Sequence, residues 1–315
     1  MKKDYRGFKK IFMEVLQKNL GDGFTLNVCQ VTKVNVGKLD ALNICKRSGE
    51  EKQRCNFYLQ QLFSKYEQGD GLMELVDDVV EQYKTHGNYP KEISDDVFDS
   101  YQKVKDRILF RVINTERNQE LLSETPHREV QDLSIFYCVL MAKNEREIGT
   151  VRVDDEMAKR WRVSEQTLFE DATRNTAEKM PALCTSISHM LTSLLEEGAC
   201  LHEIDWDAES YRGEPVVLTN CHGINGFGSV FYEGVLEEIS SKIGVDRLYI
   251  LPSSLHESII IPDIPSFGNV DELRKMVMEV NGTCVSEEDF LSDSVYVYQA
   301  DRKTFEIAKE EEAYV

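Results

Sequence analysis

Strand-like and helix-like stretches come in blocks along this chain, and that order decides the class of fold. Five apolar runs of strand length precede residue 155 and about five follow residue 215, while segments of helical periodicity are grouped between them. A doubly wound parallel sheet needs a crossover, usually a helix, after nearly every strand. Grouped blocks instead predict an α+β chain whose sheets are mostly antiparallel or mixed, with helices packed on them. At 315 residues the chain exceeds what one hydrophobic core usually supports, so two domains are expected. The expected division is an N-terminal α+β domain over 1–182, a helix and acidic connection over 183–213, and a C-terminal α/β domain over 214–315. With 41% apolar residues there is enough material for real cores.

Periodicity places the elements. Phe8, Ile11, Phe12, Val15 and Leu16 mark a helix over Asp4–Leu20 that Gly21-Asp-Gly23 stops. Phe24–Val36 and Lys38–Arg47 read as a β-hairpin turning near Gly37. Helices are expected over 56–66, 71–85, from Ser94 or Asp95 to Arg107, around Trp161, over Thr167–Lys179, and over 185–197. Strands are expected at Ile108–Asn114, Val130–Met141, Ile148–Val153 and Val216–Thr219, with Ser229–Phe231 a further candidate. The last third adds a helix at Gly234–Ile243, strands at Leu248–Leu251 and Ser258–Ile261, a helix at Val270–Val280 and a closing strand at Ser294–Tyr298.

A formal charge of −19 argues against nucleic-acid binding through a basic patch and against anionic membrane surfaces. No apolar run reaches the length needed to span a bilayer, and the basic start, Met1 to Lys10, lacks a signal-peptide core. A cytoplasmic protein is expected. The 8 cysteines form no Cys-x-x-Cys pair and mostly sit in apolar text, so they are expected to be reduced and buried, with no metal bound.

No cofactor is expected. Gly226-Phe-Gly228-Ser is half of a dinucleotide fingerprint and reads more simply as a turn between strands. Neither His202-Glu203 nor His256-Glu257 continues into a zinc-protease helix, and Asp205-x-Asp207 reads as solvated charge. The most distinctive text is Leu251-Pro-Ser-Ser-Leu-His256-Glu257 between two apolar strands. Ser253 or Ser254 could act as a nucleophile there, with His256 as base and Glu257 orienting it. The same residues also make a hydrogen-bonded turn, which is the reading preferred. A second constellation is Asn114-Thr-Glu-Arg-Asn118 with Pro126-His127-Arg128 and Asp132. Asn114 is expected to cap the short helix, Asp132 to pair with Arg128 or His127, and His127 is a further candidate catalytic group. Trp161, Leu168, Phe169, Ala172 and Asn175 form a face that packs a core.

In this order, these pieces of text resemble an uncharacterised bacterial domain-of-unknown-function family found in anaerobic gut-type bacteria and mobile elements. The resemblance also rests on Leu218-Thr-Asn220, Glu279-Val-Asn281 and Leu291-Ser-Asp293, and extends to Tyr58-Leu-Gln-Gln-Leu and Tyr66-Glu-Gln-Gly69. The chain departs from the family's text at Asn225-Gly-Phe-Gly-Ser, where a residue smaller than Phe227 is expected. The resemblance implies a shared architecture and no chemistry. With no catalytic motif evident, a non-enzymatic interaction or regulatory protein working through protein contacts is the leading expectation. The alternatives are a hydrolase or transferase built on Ser253, Ser254, His256 and Glu257, and an acidic mimic of nucleic acid.

Overall fold

A computed structural model describes residues 4–47, 57–86, 95–143, 148–195, 204 and 214–309. Residues 87–90, Ser94, Asp205, Asp207, the His202-Glu203 pair, Cys55, Cys200 and residues 310–315 lie outside the described residues. The chain divides into two compact units, Met1–Glu92 and Ile93–Val315.

The first unit packs three helices on a small antiparallel sheet. Helix α1 (Tyr5–Leu20) begins where the Asp4 carboxylate accepts the amide of Gly7, and buries Phe8, Phe12 and Leu16, one per turn. Strands β1 (Phe24–Lys33) and β2 (Gly37–Lys46) form the expected hairpin, with Asn35 and Gly37 supplying positive φ at its turn. Strand β3 (Phe57–Tyr58), α2 (Leu59–Gln68) and α3 (Leu72–His86) follow. The core joins the α1 stripe to Leu42 and Ile44 of β2 and to Leu75, Val76 and Val79 of α3.

The second unit holds two sheets. After α4 (Tyr101–Val104), strands β4 (Ile108–Asn114), β5 (His127–Val130), β6 (Leu133–Lys143) and β7 (Ile148–Arg152) pair antiparallel around β6, with α5 (Gln119–Leu122) between β4 and β5. Leu133 to Leu140 are all buried, as suits a strand covered on both faces. Val130 pairs with Leu133 across a two-residue turn in which Gln131 has φ +59°, and this turn projects Asp132 from the sheet's end.

The helical region around Trp161 is two helices, α6 (Asp155–Trp161) and α7 (Glu165–Lys179), broken at Arg162 in the left-handed region. Trp161 is buried and donates to the Phe98 carbonyl (2.8 Å); Leu168, Ala172 and Asn175 are buried on α7. Asn175 Nδ2 donates to the carbonyls of Lys105 and Ile108, fixing α7 to the start of β4.

The second sheet runs β13-β12-β10-β11-β9-β8, every pairing antiparallel. Its members are β8 (Ala182–Ser186), followed by α8 (Ile187–Leu195), then β9 (Val216–Asn220), α9 (Val235–Ile243), β10 (Arg247–Pro252), β11 (Ser258–Pro262), α10 (Val270–Thr283), β12 (Tyr296–Gln299) and β13 (Thr304–Ile307). The protein is therefore α+β, with antiparallel sheets. Because β8 pairs with β9, this sheet spans the 183–213 stretch expected to be a connection. Three expectations are corrected. Ser229–Phe231 lies in a 3-10 helix, Gly226–Phe231; Ala182–Ser186 is a strand; and a last strand follows β12. Of the described cysteines only Cys138 is buried, while Cys29, Cys221 and Cys284 are exposed; all six are free. Cys29 lies in the exposed middle of β1, where the Asn43 amide approaches its Sγ (3.5 Å). No helix among the described residues is long and apolar enough to cross a membrane.

Candidate functional site

The loop between β10 and β11 brings Ser253, Ser254, His256 and Glu257 together, but links them through the backbone. The amides of Ser253 and Ser254 both donate to the Glu257 carbonyl (3.2 and 3.3 Å). The Ser254 hydroxyl donates to Glu257 Oε1 (2.9 Å) and accepts the His256 amide (2.9 Å). This is the hydrogen-bonded turn that short hydroxyl side chains favour.

The His256 ring points elsewhere. Its Nδ1 accepts the amide of Asn225 (3.1 Å), so the ring proton sits on Nε2 and is donated to Asp289 Oδ1 (3.1 Å). The other Asp289 oxygen accepts the Ser286 hydroxyl (2.7 Å). The His256 carbonyl accepts Thr219 Oγ1 (2.7 Å), and Leu255 exchanges backbone bonds with Asp289 and Phe227. His256 thus ties three loops at one end of the sheet, with both ring nitrogens used and neither serine hydroxyl on the ring. Replacing His256 by alanine leaves the Asn225 amide and Asp289 without their partner. The expected loss is about 1–2 kcal/mol in urea unfolding; an unchanged midpoint would mean the strap carries no load.

Asn220 organises the loop that meets His256. Its Nδ2 donates to the Ile224 carbonyl and its Oδ1 accepts the His222 amide (2.9 Å each). The ring of His222 is held differently, with Nε2 buried and unpartnered. Burial, then the positive charge of Lys143, lowers its pKa from the ordinary 6.5. The folded protein therefore resists protonating His222 while the unfolded chain does not. This contribution is fully present above pH 6.5 and declines as the pH falls toward the depressed value. His222→Leu should flatten the stability difference between about pH 7.5 and about pH 5.5. An identical difference in both proteins would remove His222 as its source.

Asp132 pairs with neither Arg128 nor His127, contrary to expectation. Its Oδ2 accepts the hydroxyls of Ser292 (2.6 Å) and Ser294 (3.1 Å), and its Oδ1 that of Tyr296 (2.8 Å). The same seam takes in Asn114, whose Oδ1 accepts the Arg117 amide as expected of a cap and whose Nδ2 donates to the Leu291 carbonyl (3.0 Å). Asn281 Nδ2 bridges the Ser292 carbonyl and Asp293 Oδ1. The Arg117 guanidinium lies 3.6 Å over the Phe290 ring. Arg128 instead makes a forked pair with Glu165 (3.2 and 2.9 Å), and Tyr137 donates to the same carboxylate. The geometry satisfies Arg128 because a fork needs both carboxylate oxygens, and those of Asp132 are taken by hydroxyls.

His127 stands apart from both clusters. Its Nδ1 donates to the Thr125 carbonyl (2.8 Å), which leaves Nε2 as an acceptor without a hydrogen bond among the described residues. No hydrogen bond joins any two of His127, His222 and His256. Sequence reasoning found His256 and Asp132 but missed Asp289, Glu165 and the serine pair Ser292 and Ser294. Asp289 sits in Ser286-Glu-Glu-Asp289, which reads as solvated charge. Among the described residues no group of three or more His, Cys, Asp or Glu side chains is placed to hold a metal.

No curated protein and no solved structure matches the chain. The model of one family, described as a family of unknown function (DUF5688), matches residues 5–300, and it is to that family that the chain belongs.

Proposed function

We propose that this protein is a non-enzymatic interaction or regulatory protein that works through contact with another protein in the cytoplasm. The observation that carries this reading is where the polar groups at the strand ends spend their hydrogen bonds. Ser254 bonds to Glu257 and to a backbone amide, both nitrogens of His256 are engaged, and Asp132 accepts three hydroxyls. A serine nucleophile needs a base within hydrogen-bond reach, and an engaged imidazole with its proton on the carboxylate side offers none. Side chains satisfied in this way define a unique fold and present a fixed surface. The free cysteines are consistent with a reducing compartment.

Two measurements on the full chain test the reading together. Purified protein should show no turnover above buffer on a panel of activated carboxyl and phosphate esters. Crosslinking in the native host, followed by capture, should return one partner in stoichiometric amount. Turnover that disappears in Ser254→Ala, with the fold intact by circular dichroism, would replace this function with a hydrolase at the β10–β11 loop.

A further inference from the structure

An edge strand leaves a row of backbone donors and acceptors open, and chains guard such edges with charge, proline, bulges, brevity or a covering segment. Most edges in this chain are guarded in one of these ways. The outer side of β4 is taken by α7, where Thr176 Oγ1 accepts the Phe110 amide and Asn175 Nδ2 donates to the Ile108 carbonyl. On β8 the Cys184 carbonyl accepts the amide of Ile204. Strands β5 and β13 are four residues each and carry charge, at Arg128 and Glu129 and at Glu306.

Strand β1 has none of these devices. It runs ten residues in unbroken register with β2, its sole strand partner among the described residues. From Phe24 to Thr32 it holds no charge, no proline and no glycine. Asn27, Val28, Cys29 and Gln30 are all exposed, so neither face of the strand's middle is covered. Val28, large and apolar, is 36% exposed there.

The hairpin sets the phase of the open groups. The Arg47 amide donates to the Gly23 carbonyl (2.8 Å), and bonded pairs alternate along an antiparallel ladder. Odd-numbered residues of β1 therefore bond to β2, while Leu26, Val28 and Gln30 turn their N–H and C=O outward. Asp40, opposite Gln30, fits this phase, because its amide points away from β1 to Gln60 Oε1 (2.9 Å).

Such an edge is complementary to an antiparallel copy of itself. A two-fold axis at Val28 sets that residue against its own equivalent and Leu26 against Gln30 of the second copy. These facing pairs exchange about six backbone hydrogen bonds. The exposed valines meet each other, Thr25 faces Val31, and between Phe24 and Thr32 no charge falls opposite another. Charge also selects where two copies can approach. Ile93–Val315 holds 43 acidic residues against 22 basic, and two such surfaces repel. Met1–Glu92 holds 13 acidic against 15 basic, so the first unit meets its copy almost without repulsion.

We propose that two copies of this protein associate by pairing their β1 strands antiparallel about Val28, joining two hairpins into one sheet. The pairing goes beyond the contact with another protein proposed above and does not depend on it.

Sedimentation velocity of the full-length protein tests this. A contact of one strand per copy is small, so reversible monomer–dimer exchange is expected between about 1 and about 200 μM. Val28→Lys sets like charges face to face and should weaken the dimer about tenfold or more. Val28→Pro removes a donor that the hairpin does not use, and should weaken it as much without adding charge. Circular dichroism should show both variants folded, since the position is exposed. A parent that stays monomeric up to about 200 μM, or folded variants that dimerise within about twofold of it, overturns the pairing. A monomeric parent that captures a different protein and loses it in Val28→Lys assigns the edge to that protein, and overturns the second copy as its occupant. Failure to capture any other protein, with the dimer intact, would sink only the function proposed above.

Discussion

Gly226→Ala is expected to destabilise the protein by about 3 kcal/mol or more, among the largest losses any single methyl could cause here. A Cβ at Gly226 would lie 2.1 Å from Thr219 Oγ1, 2.4 Å from the His256 carbonyl oxygen and 2.8 Å from the Asn220 amide nitrogen. Two of these atoms are backbone and cannot swing aside. Thr219 could rotate, but only by giving up its hydrogen bond to His256. The displacement would also carry Asn225 away from His256 Nδ1, so one methyl disturbs the whole strap. Gly228→Ala is the matched comparison, because there the contact is 3.1 Å to the Phe110 ring edge, a side chain able to shift. About 1 kcal/mol is expected for it. Urea unfolding of both variants reads the difference, and equal midpoints would show that the Gly226 segment yields freely. Coupling to His256 can be read separately. If the methyl acts through the strap, Gly226→Ala and His256→Ala together should cost less than the sum of the two.

The contrast between these two glycines shows how far the chain's text can be read. From sequence, Gly226-Phe-Gly228-Ser suggests a turn between strands, since glycine pairs commonly serve that purpose. What the position requires is a close approach between the end of β9, the Gly226 segment and the distant β10–β11 loop at His256, and local text carries no trace of that last partner. Phe227 makes the same point, because its ring is fully buried against Phe231 and Tyr296, filling space that only the assembled sheet defines. The stripe Phe8, Phe12 and Leu16 was legible because helical spacing is local, and β4 because Ile108–Asn114 is apolar but for Arg111 and Asn114. Strand β8 was not. Ala182–Ser186 runs directly into α8, and only pairing with β9, across the intervening connection, makes it a strand. The candidate residues were legible as polar text in apolar surroundings, but their partners were not. His256 meets Asp289 and not a serine, and Asp132 meets hydroxyls from the segment leading into β12.

Asp132→Ala is expected to cost about 4 kcal/mol, because it orphans three donors at once. Ser292 and Tyr296 are buried to 1% and 0% exposure, so water cannot readily replace the lost acceptor. Burial, and after it the charge of Asp132, holds the Tyr296 phenol well above its ordinary pKa, which keeps the hydroxyl protonated and donating. The ring itself is fixed by stacking on Phe305 at 4.8 Å, so the hydroxyl cannot turn toward another partner without disturbing that contact. Tyr296→Phe removes the same hydrogen bond from the other side but leaves no orphan hydroxyl, and about 1 kcal/mol is expected for it. The two variants combined give the sharper test. Once Asp132 is gone, deleting the Tyr296 hydroxyl removes an unsatisfied buried group, so in that background Tyr296→Phe should be neutral or stabilising. If instead the two losses add fully, the hydroxyl and the carboxylate act independently. The seam between Asp132 and the segment entering β12 would then not be what fastens these sheets at that end.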